Sequence, residues 1–285
     1  FSFAKVPYGT WIIREIESPK GYVLSEEEIA VTIGKVDEVV EIELVNYFIK
    51  GNIALTKVDE DYPDNKLSGA VFEVYSDTNG DGKLDKDDTL LGEMKELDGG
   101  VYQMSELRYG KYLVKETKAP TGFVLDEDVY AVSIEENGKT YTVENKAGVG
   151  FINAAQKGSL KIVKTSSDGK VEGFSFRVTG VDYDQTFKTD KNGEIVIEGL
   201  RIGDYTVSEV SDKPSAGYIL PADKQATVKV NATAIVQMHN EFRDPPKTGD
   251  DFNLGLWVSL AALSVVGAGV LGFVGYKNRK KKKED

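Results

Sequence analysis

Along most of the chain, apolar residues recur at every second position in short runs broken by Gly, Asn, Asp and Pro. That is the two-residue period of a half-buried strand. Short strands are predicted at Ile29–Ile33, Phe72–Tyr75, Tyr130–Ile134, Phe174–Val178 and Thr227–Val230, and no segment before residue 244 reads as a long helix. The expected fold class is all-β: Ig-like sandwiches in tandem.

One pattern occurs three times. Its central version runs from Gly110 through Tyr112, Val114 and Glu116 to Pro120, Gly122 and Phe123. Gly9, Trp11, Ile13, Glu15, Pro19, Gly21 and Tyr22 repeat it, and so do Gly203, Tyr205, Val207, Glu209, Pro214, Gly217 and Tyr218 after a two-residue insertion. Each copy closes with a strand ending in Asn, at Asn46, Asn153 and Asn240. Two copies open with a glycine and a strand that reaches Lys57 or Lys164. The first copy's opening strand is expected upstream of Phe1, which makes the chain the carboxy-terminal part of a longer protein. The division that follows is 1–50 for the end of a truncated domain, 51–157 and 158–243 for two whole sandwiches, and 244–285 for a separate tail.

Period-two parity places a polar residue on each apolar face. Ile53, Leu55 and Lys57 share a face, as do Leu160, Ile162 and Lys164. Tyr112, Val114 and Glu116 line up, as do Tyr205, Val207 and Glu209, and Trp11, Ile13 and Glu15. Phe151 and Asn153, Met238 and Asn240, and Ile42, Leu44 and Asn46 complete the set. A buried, unpaired Lys or Glu costs several kcal/mol, so its recurrence needs a reason. One reading is a buried ion pair with Asn satisfying the leftover hydrogen bonds. A second is snorkelling of the long side chains at strand ends. A third is a covalent crosslink. In it a desolvated, neutral amine attacks the Asn side-chain carbonyl while a protonated Glu polarises that carbonyl and passes protons to the departing ammonia.

The run from Tyr112 to Phe123 resembles the E-box of Cna-B-type, SpaA-like prealbumin-fold domains of Gram-positive collagen adhesins and pilins; Val114 and Phe123 are mild departures from it. The resemblance implies isopeptide bonds Lys57–Asn153 promoted by Glu116, and Lys164–Asn240 promoted by Glu209. It also implies a third bond that uses Glu15, Asn46 and an upstream lysine. The third copy lacks the Thr-Lys-Ala-Pro run of the middle one.

The tail adds an address. Leu254 to Tyr276 carries no charge and is long enough to span a bilayer as a helix. Lys277, Arg279 and Lys280 to Lys283 follow it and would remain cytoplasmic. Pro245, Pro246, Lys247, Thr248 and Gly249 precede it. A Pro-x-Thr-Gly motif, an apolar span and a basic end resemble the LPxTG-type cell-wall sorting signal of Gram-positive surface proteins, with Pro245 in the place of the usual Leu. The resemblance implies that a sortase cuts between Thr248 and Gly249 and joins Thr248 to peptidoglycan or to another pilin subunit, with only transient membrane residence through 254–276.

Asp77, Asn79, Asp81, the Lys83 carbonyl, Asp85 and Asp88, around a turn at Gly82, follow an EF-hand ligand rhythm, with Asp where position twelve usually has Glu. This marks a candidate structural calcium loop; a solvated acidic turn is the alternative. Lys57 and Glu116 stand 59 residues apart, but Lys164 and Glu209 only 45, so the loop reads as an insertion into the middle sandwich.

Composition narrows the functions. Of 285 residues, 35 are basic and 47 acidic, for a net charge of −12, which argues against a nucleic-acid partner. There is no cysteine and a single histidine, His239, so thiol chemistry, disulfides and a multi-histidine metal site are excluded. No set of residues supports turnover; each Glu would act once, on its own domain. No cofactor is required. The leading expectation is a wall-anchored stalk or pilin subunit at the cell surface. The alternative is the stalk of an adhesin whose upstream domain binds host extracellular matrix.

Overall fold

A computed structural model describes residues 1–243, all in strands, turns and loops. The sorting motif at Pro245–Gly249, the apolar span 254–276 and the basic tail lie outside the described residues. Among the described residues no helix is long and apolar enough to cross a membrane.

In the first segment β1 (Gly9–Arg14) pairs antiparallel with β2 (Glu28–Ile33). The middle domain follows with β3 (Lys50–Asp59), β4 (Val71–Ser76), β5 (Thr89–Glu93), β6 (Lys95–Asp98), β7 (Val101–Arg108), β8 (Gly110–Lys118), β9 (Val129–Ile134), β10 (Thr140–Thr142) and β11 (Phe151–Asn153). Its sheets are β10-β3-β7-β6, with β11 also on β3, and β5-β4-β8-β9. The last domain has β12 (Lys157–Ser166), β13 (Ser175–Gly180), β14 (Tyr183–Lys188), β15 (Glu194–Arg201), β16 (Gly203–Glu209), β17 (Tyr218–Ile219), β18 (Lys224–Val228) and β19 (Thr233–Phe242). Its sheets are β15-β12-β19-β17 and β14-β13-β16-β18.

In both whole domains the opening strand runs parallel to the closing one: β3 beside β10 and β11, β12 beside β19. The register is the same. Lys57 faces Phe151 and Lys164 faces Met238, each two residues before the terminal Asn. Gly150 is required for this approach, because a Cβ there would sit 2.9 Å from the Thr56 carbonyl oxygen. Each sandwich buries its alternating residues between its sheets: Ile53, Leu55, Phe72, Val114 and Phe151 in one, Leu160, Ile162, Phe176, Val207 and Met238 in the other.

Three expectations need correction. The strand expected at Thr227–Val230 lies at Lys224–Val228, because a turn centred on Asn231, at positive φ, takes the residues after it. The closing run to Asn46 forms no strand, and in the middle domain only Phe151–Asn153 of the corresponding run does. Trp11, Ile42 and Leu44, expected on a buried face, are exposed. The cause is shared: among residues 1–50 there is no counterpart of β3 or β12 to pair with the closing run and cover that face.

Candidate functional site

Lys57, Glu116 and Asn153 come from β3, β8 and β11 and meet between the two sheets of the middle domain. Lys57 and Glu116 have no exposed surface and Asn153 has 3%. The Lys57 amine contacts the Oδ1 of Asn153 and lies 3.2 Å from Glu116 Oε1. The Asn153 Nδ2 donates to both oxygens of Glu116, at 3.0 and 2.9 Å. The glutamate thus touches both the attacking nitrogen and the nitrogen that would leave. The Lys57 amine also lies 4.4 Å from the centre of the Phe151 ring and 5.8 Å from that of Phe72, which wall off water. Burial pushes the Lys57 amine down to about 8, against a smaller opposing pull from Glu116. At neutral pH roughly one amine in ten is then uncharged, against about one in three thousand at an ordinary lysine.

Ten residues beyond Glu116, the Asp126 backbone N–H donates to Glu116 Oε2 at 2.8 Å. The first segment repeats the arrangement. Ser25 N–H donates to Glu15 Oε2 at 2.8 Å, and Asn46 Nδ2 donates to the same oxygen at 2.7 Å. Glu15 and Asn46 therefore pair as the middle domain's residues do, half-buried.

The last domain gathers the same three residues but engages them differently. Lys164, Glu209 and Asn240 are buried, and Asn240 Nδ2 donates to Glu209 Oε1 at 2.6 Å. Lys164 instead donates to the Thr165 carbonyl at 2.6 Å, and lies over the rings of Phe174 and Tyr218. Glu209 Oε2 and Asn240 Oδ1 have no hydrogen-bond partner. The position matching Ser25 and Asp126 is Pro221, which has no N–H to give. Burial lowers the Lys164 amine and raises the Glu209 carboxyl. The longer turn after Glu209 is closed by Ser215, which accepts from the Asp212 N–H at 2.8 Å, and by Ser175, which donates to Asp212 at 2.5 Å.

The acidic loop lies between β4 and β5. Its side chains are turned to the loop's own donors. Asp77 accepts from Gly80 and Gly82 at 2.7 and 3.1 Å. Asn79 accepts from Asp81 at 3.0 Å and Asp81 from Lys83 at 2.8 Å. Asp85 accepts from Asp87 at 2.8 Å and from the Asn79 amide at 3.2 Å. Asp88 accepts from Thr78 and Asp85 at 3.1 and 2.9 Å. Among the described residues no three His, Asp or Glu side chains stand close enough together to hold a metal ion. As arranged, the loop is held by these hydrogen bonds.

Sequence reasoning did not find Asp126, Pro221 or the buried Asp59. The offset of ten from the E-box glutamate, corrected for the insertion, would have pointed to the first two.

Residues 1–47, 51–147 and 158–242 match the SpaA prealbumin-like fold domain. No curated protein sequence matches the chain. Among solved structures, the TIE protein of Bacillus anthracis is 27% identical with a TM-score of 0.64, over 84% of this chain and 42% of its own length. The chain thus spans less than half of that protein. The minor pilin of Streptococcus agalactiae matches 70% of the chain over its whole length, at 16% identity and a TM-score of 0.32. The shaft pilin of Lactobacillus rhamnosus GG matches 69% of the chain over 99% of its own, at 14% identity and 0.31.

Proposed function

The chain belongs to the SpaA-type prealbumin-like domain family, and from that premise we propose that it is a structural stalk or pilin-type module of a Gram-positive surface protein, its domains welded by Lys–Asn isopeptide bonds. The observation that carries the proposal is the dry contact of Lys57, Glu116 and Asn153. The neutral Lys57 Nζ adds to Asn153 Cγ. Glu116 takes a proton from the attacking nitrogen and delivers one to Nδ2, the Cγ–Nδ2 bond breaks, and ammonia leaves. One amine and one carboxamide become one secondary amide and one ammonia, with Glu116 restored. The weak electrophilicity of an amide is offset by permanent proximity.

The bond joins the first strand of the domain to its last, so tension applied at the two ends passes through a covalent link and not through the sheets. In a chain without cysteine it takes the part of a disulfide. The last domain is proposed to close in the same way once the Lys164 amine leaves the Thr165 carbonyl for the unpartnered Asn240 Oδ1.

Anchoring is proposed through sortase cleavage after Thr248 and transfer to peptidoglycan, supported by the order of motif, apolar span and basic tail. Mass spectrometry of wall-digested fragments tests it. The expected product ends at Thr248 joined to a peptidoglycan stem; a mature chain retaining 254–276 would overturn the anchoring.

A further inference from the structure

The two domain junctions are built alike. At each, a single residue spends both of its backbone groups on different domains. The Ile49 N–H donates to the Gly21 carbonyl behind it at 2.8 Å, while its own carbonyl accepts from Tyr109 ahead of it at 2.9 Å. Gln156 repeats this, donating to Gly122 at 2.8 Å and accepting from Ile202 at 3.1 Å. A connector with no free backbone group has little freedom to hinge.

An arginine of the downstream domain then reaches back at each junction. Arg108, at the end of β7, holds its guanidinium 3.9 Å from the centre of the Phe48 ring. Arg201, at the matching end of β15, lies 5.0 Å from Tyr62 and 5.8 Å from Phe123. It also forks onto Asp59, with Nη1 and Nη2 at 2.6 and 2.8 Å, and reaches Asp61 at 2.9 Å. Lys157 adds a contact to Asp61 at 3.1 Å. The Asp59 side chain is only 3% exposed and that of Arg201 15%, so this pair is shielded from solvent. Burial alone would raise the Asp59 carboxyl, but Arg201 and backbone donors hold it below the usual range. Planar bidentate pairing fixes direction as well as distance.

We infer that Asp59, Asp61 and Tyr62 form a socket for the arginine that precedes the E-box glycine of the next prealbumin-like domain, and that this clasp makes the tandem a stiff rod with one set inter-domain angle. Asp59 ends the strand that carries Lys57, and Asp61 and Tyr62 follow just beyond it, so the anchor for the next domain starts where the proposed weld's strand stops. The clasp does not depend on the weld.

The test uses the full chain with spin labels on introduced cysteines at the exposed positions Lys118→Cys and Lys224→Cys; no native cysteine interferes. Electron–electron distance measurement is expected to give one narrow distribution. Arg201→Ala should broaden it at least twofold while the far-ultraviolet dichroism stays unchanged. Arg201→Lys, which keeps the charge but not the fork, should broaden it partly. Asp59→Asn gives an independent reading from the other side should Arg201→Ala not fold. Glu116→Gln, which leaves the clasp in place, should leave the distribution narrow even where the bond is missing. An equally narrow distribution in both Arg201→Ala and Asp59→Asn, or a broad one in the parent, would overturn the clasp.

Discussion

The amine of Lys57 lies against the side-chain carbonyl oxygen of Asn153, across the parallel pairing of β3 and β11 and out of reach of water. Lys164 and Asn240 occupy the same register in the last domain, yet that lysine turns to the Thr165 carbonyl. One backbone plan thus holds an engaged and a disengaged version of the same three groups.

The engaged version makes stability depend on pH when the bond cannot form. In Asn153→Ala, Lys57 remains an amine whose folded pKa, about 8, lies below its unfolded value near 10.5. Between those values the unfolded state binds more protons, so stability rises with pH across that window and is flat below it. The full rise is about 3 kcal/mol. The parent chain, with an amide nitrogen at this place, is expected to show no such rise. Urea unfolding at pH 7.5 and 10 compares the two.

Glu116→Gln keeps the size of the side chain and removes its ability to carry a proton. The middle bond is expected to be absent while the last domain's is unaffected. Loss of a crosslink that closes 96 residues removes about 4–5 kcal/mol by chain entropy. Intact mass and chemical denaturation read the two effects separately. A Glu116→Gln chain that still loses the middle domain's ammonia would remove the glutamate from the reaction.

Pro221 withholds the amide donor that Asp126 supplies to Glu116. Pro221→Ala restores an N–H there and should lower the Glu209 carboxyl pKa, because a donor to the carboxylate favours its charged form. Carbon-13 titration of Glu209 in a Lys164→Met background, where no bond forms, measures it. An unchanged titration would separate the missing amide from the upward shift of Glu209.

The acidic loop spends its side chains on its own backbone. Calorimetry of the chain with calcium is therefore expected to show no one-to-one heat, and chelation should leave thermal unfolding unchanged. Saturable binding at a single site would mean that Asp77, Asp81 and Asp88 can turn together around an ion.

The strands and both complete triads were legible because their signal is local and repeated. A two-residue period fixes which face Lys57, Glu116 and Asn153 share, and a second copy with the same parity separates pattern from accident. What was not legible depends on partners far away in the chain. The run to Asn46 carries the same alternation as β19 but has no parallel neighbour, so it makes no strand and leaves Leu44 exposed. The preference for the strand is tertiary and not intrinsic. Asp59 and Arg201 are 142 residues apart, and neither stands out by type. The one available sign was that Asp59 continues the buried parity of Leu55 and Lys57, a charged residue where no apolar neighbour could satisfy it. The direction of the Lys164 amine is a rotamer choice that no sequence pattern encodes.

The weld itself is tested most directly by a peptide map of the purified chain. The peptides carrying Lys57 and Asn153 are expected to emerge as one branched species, lighter by one ammonia than their sum, with fragmentation placing the junction at those two side chains. Recovery of the two peptides separately, in full yield and at unaltered mass, would contradict it.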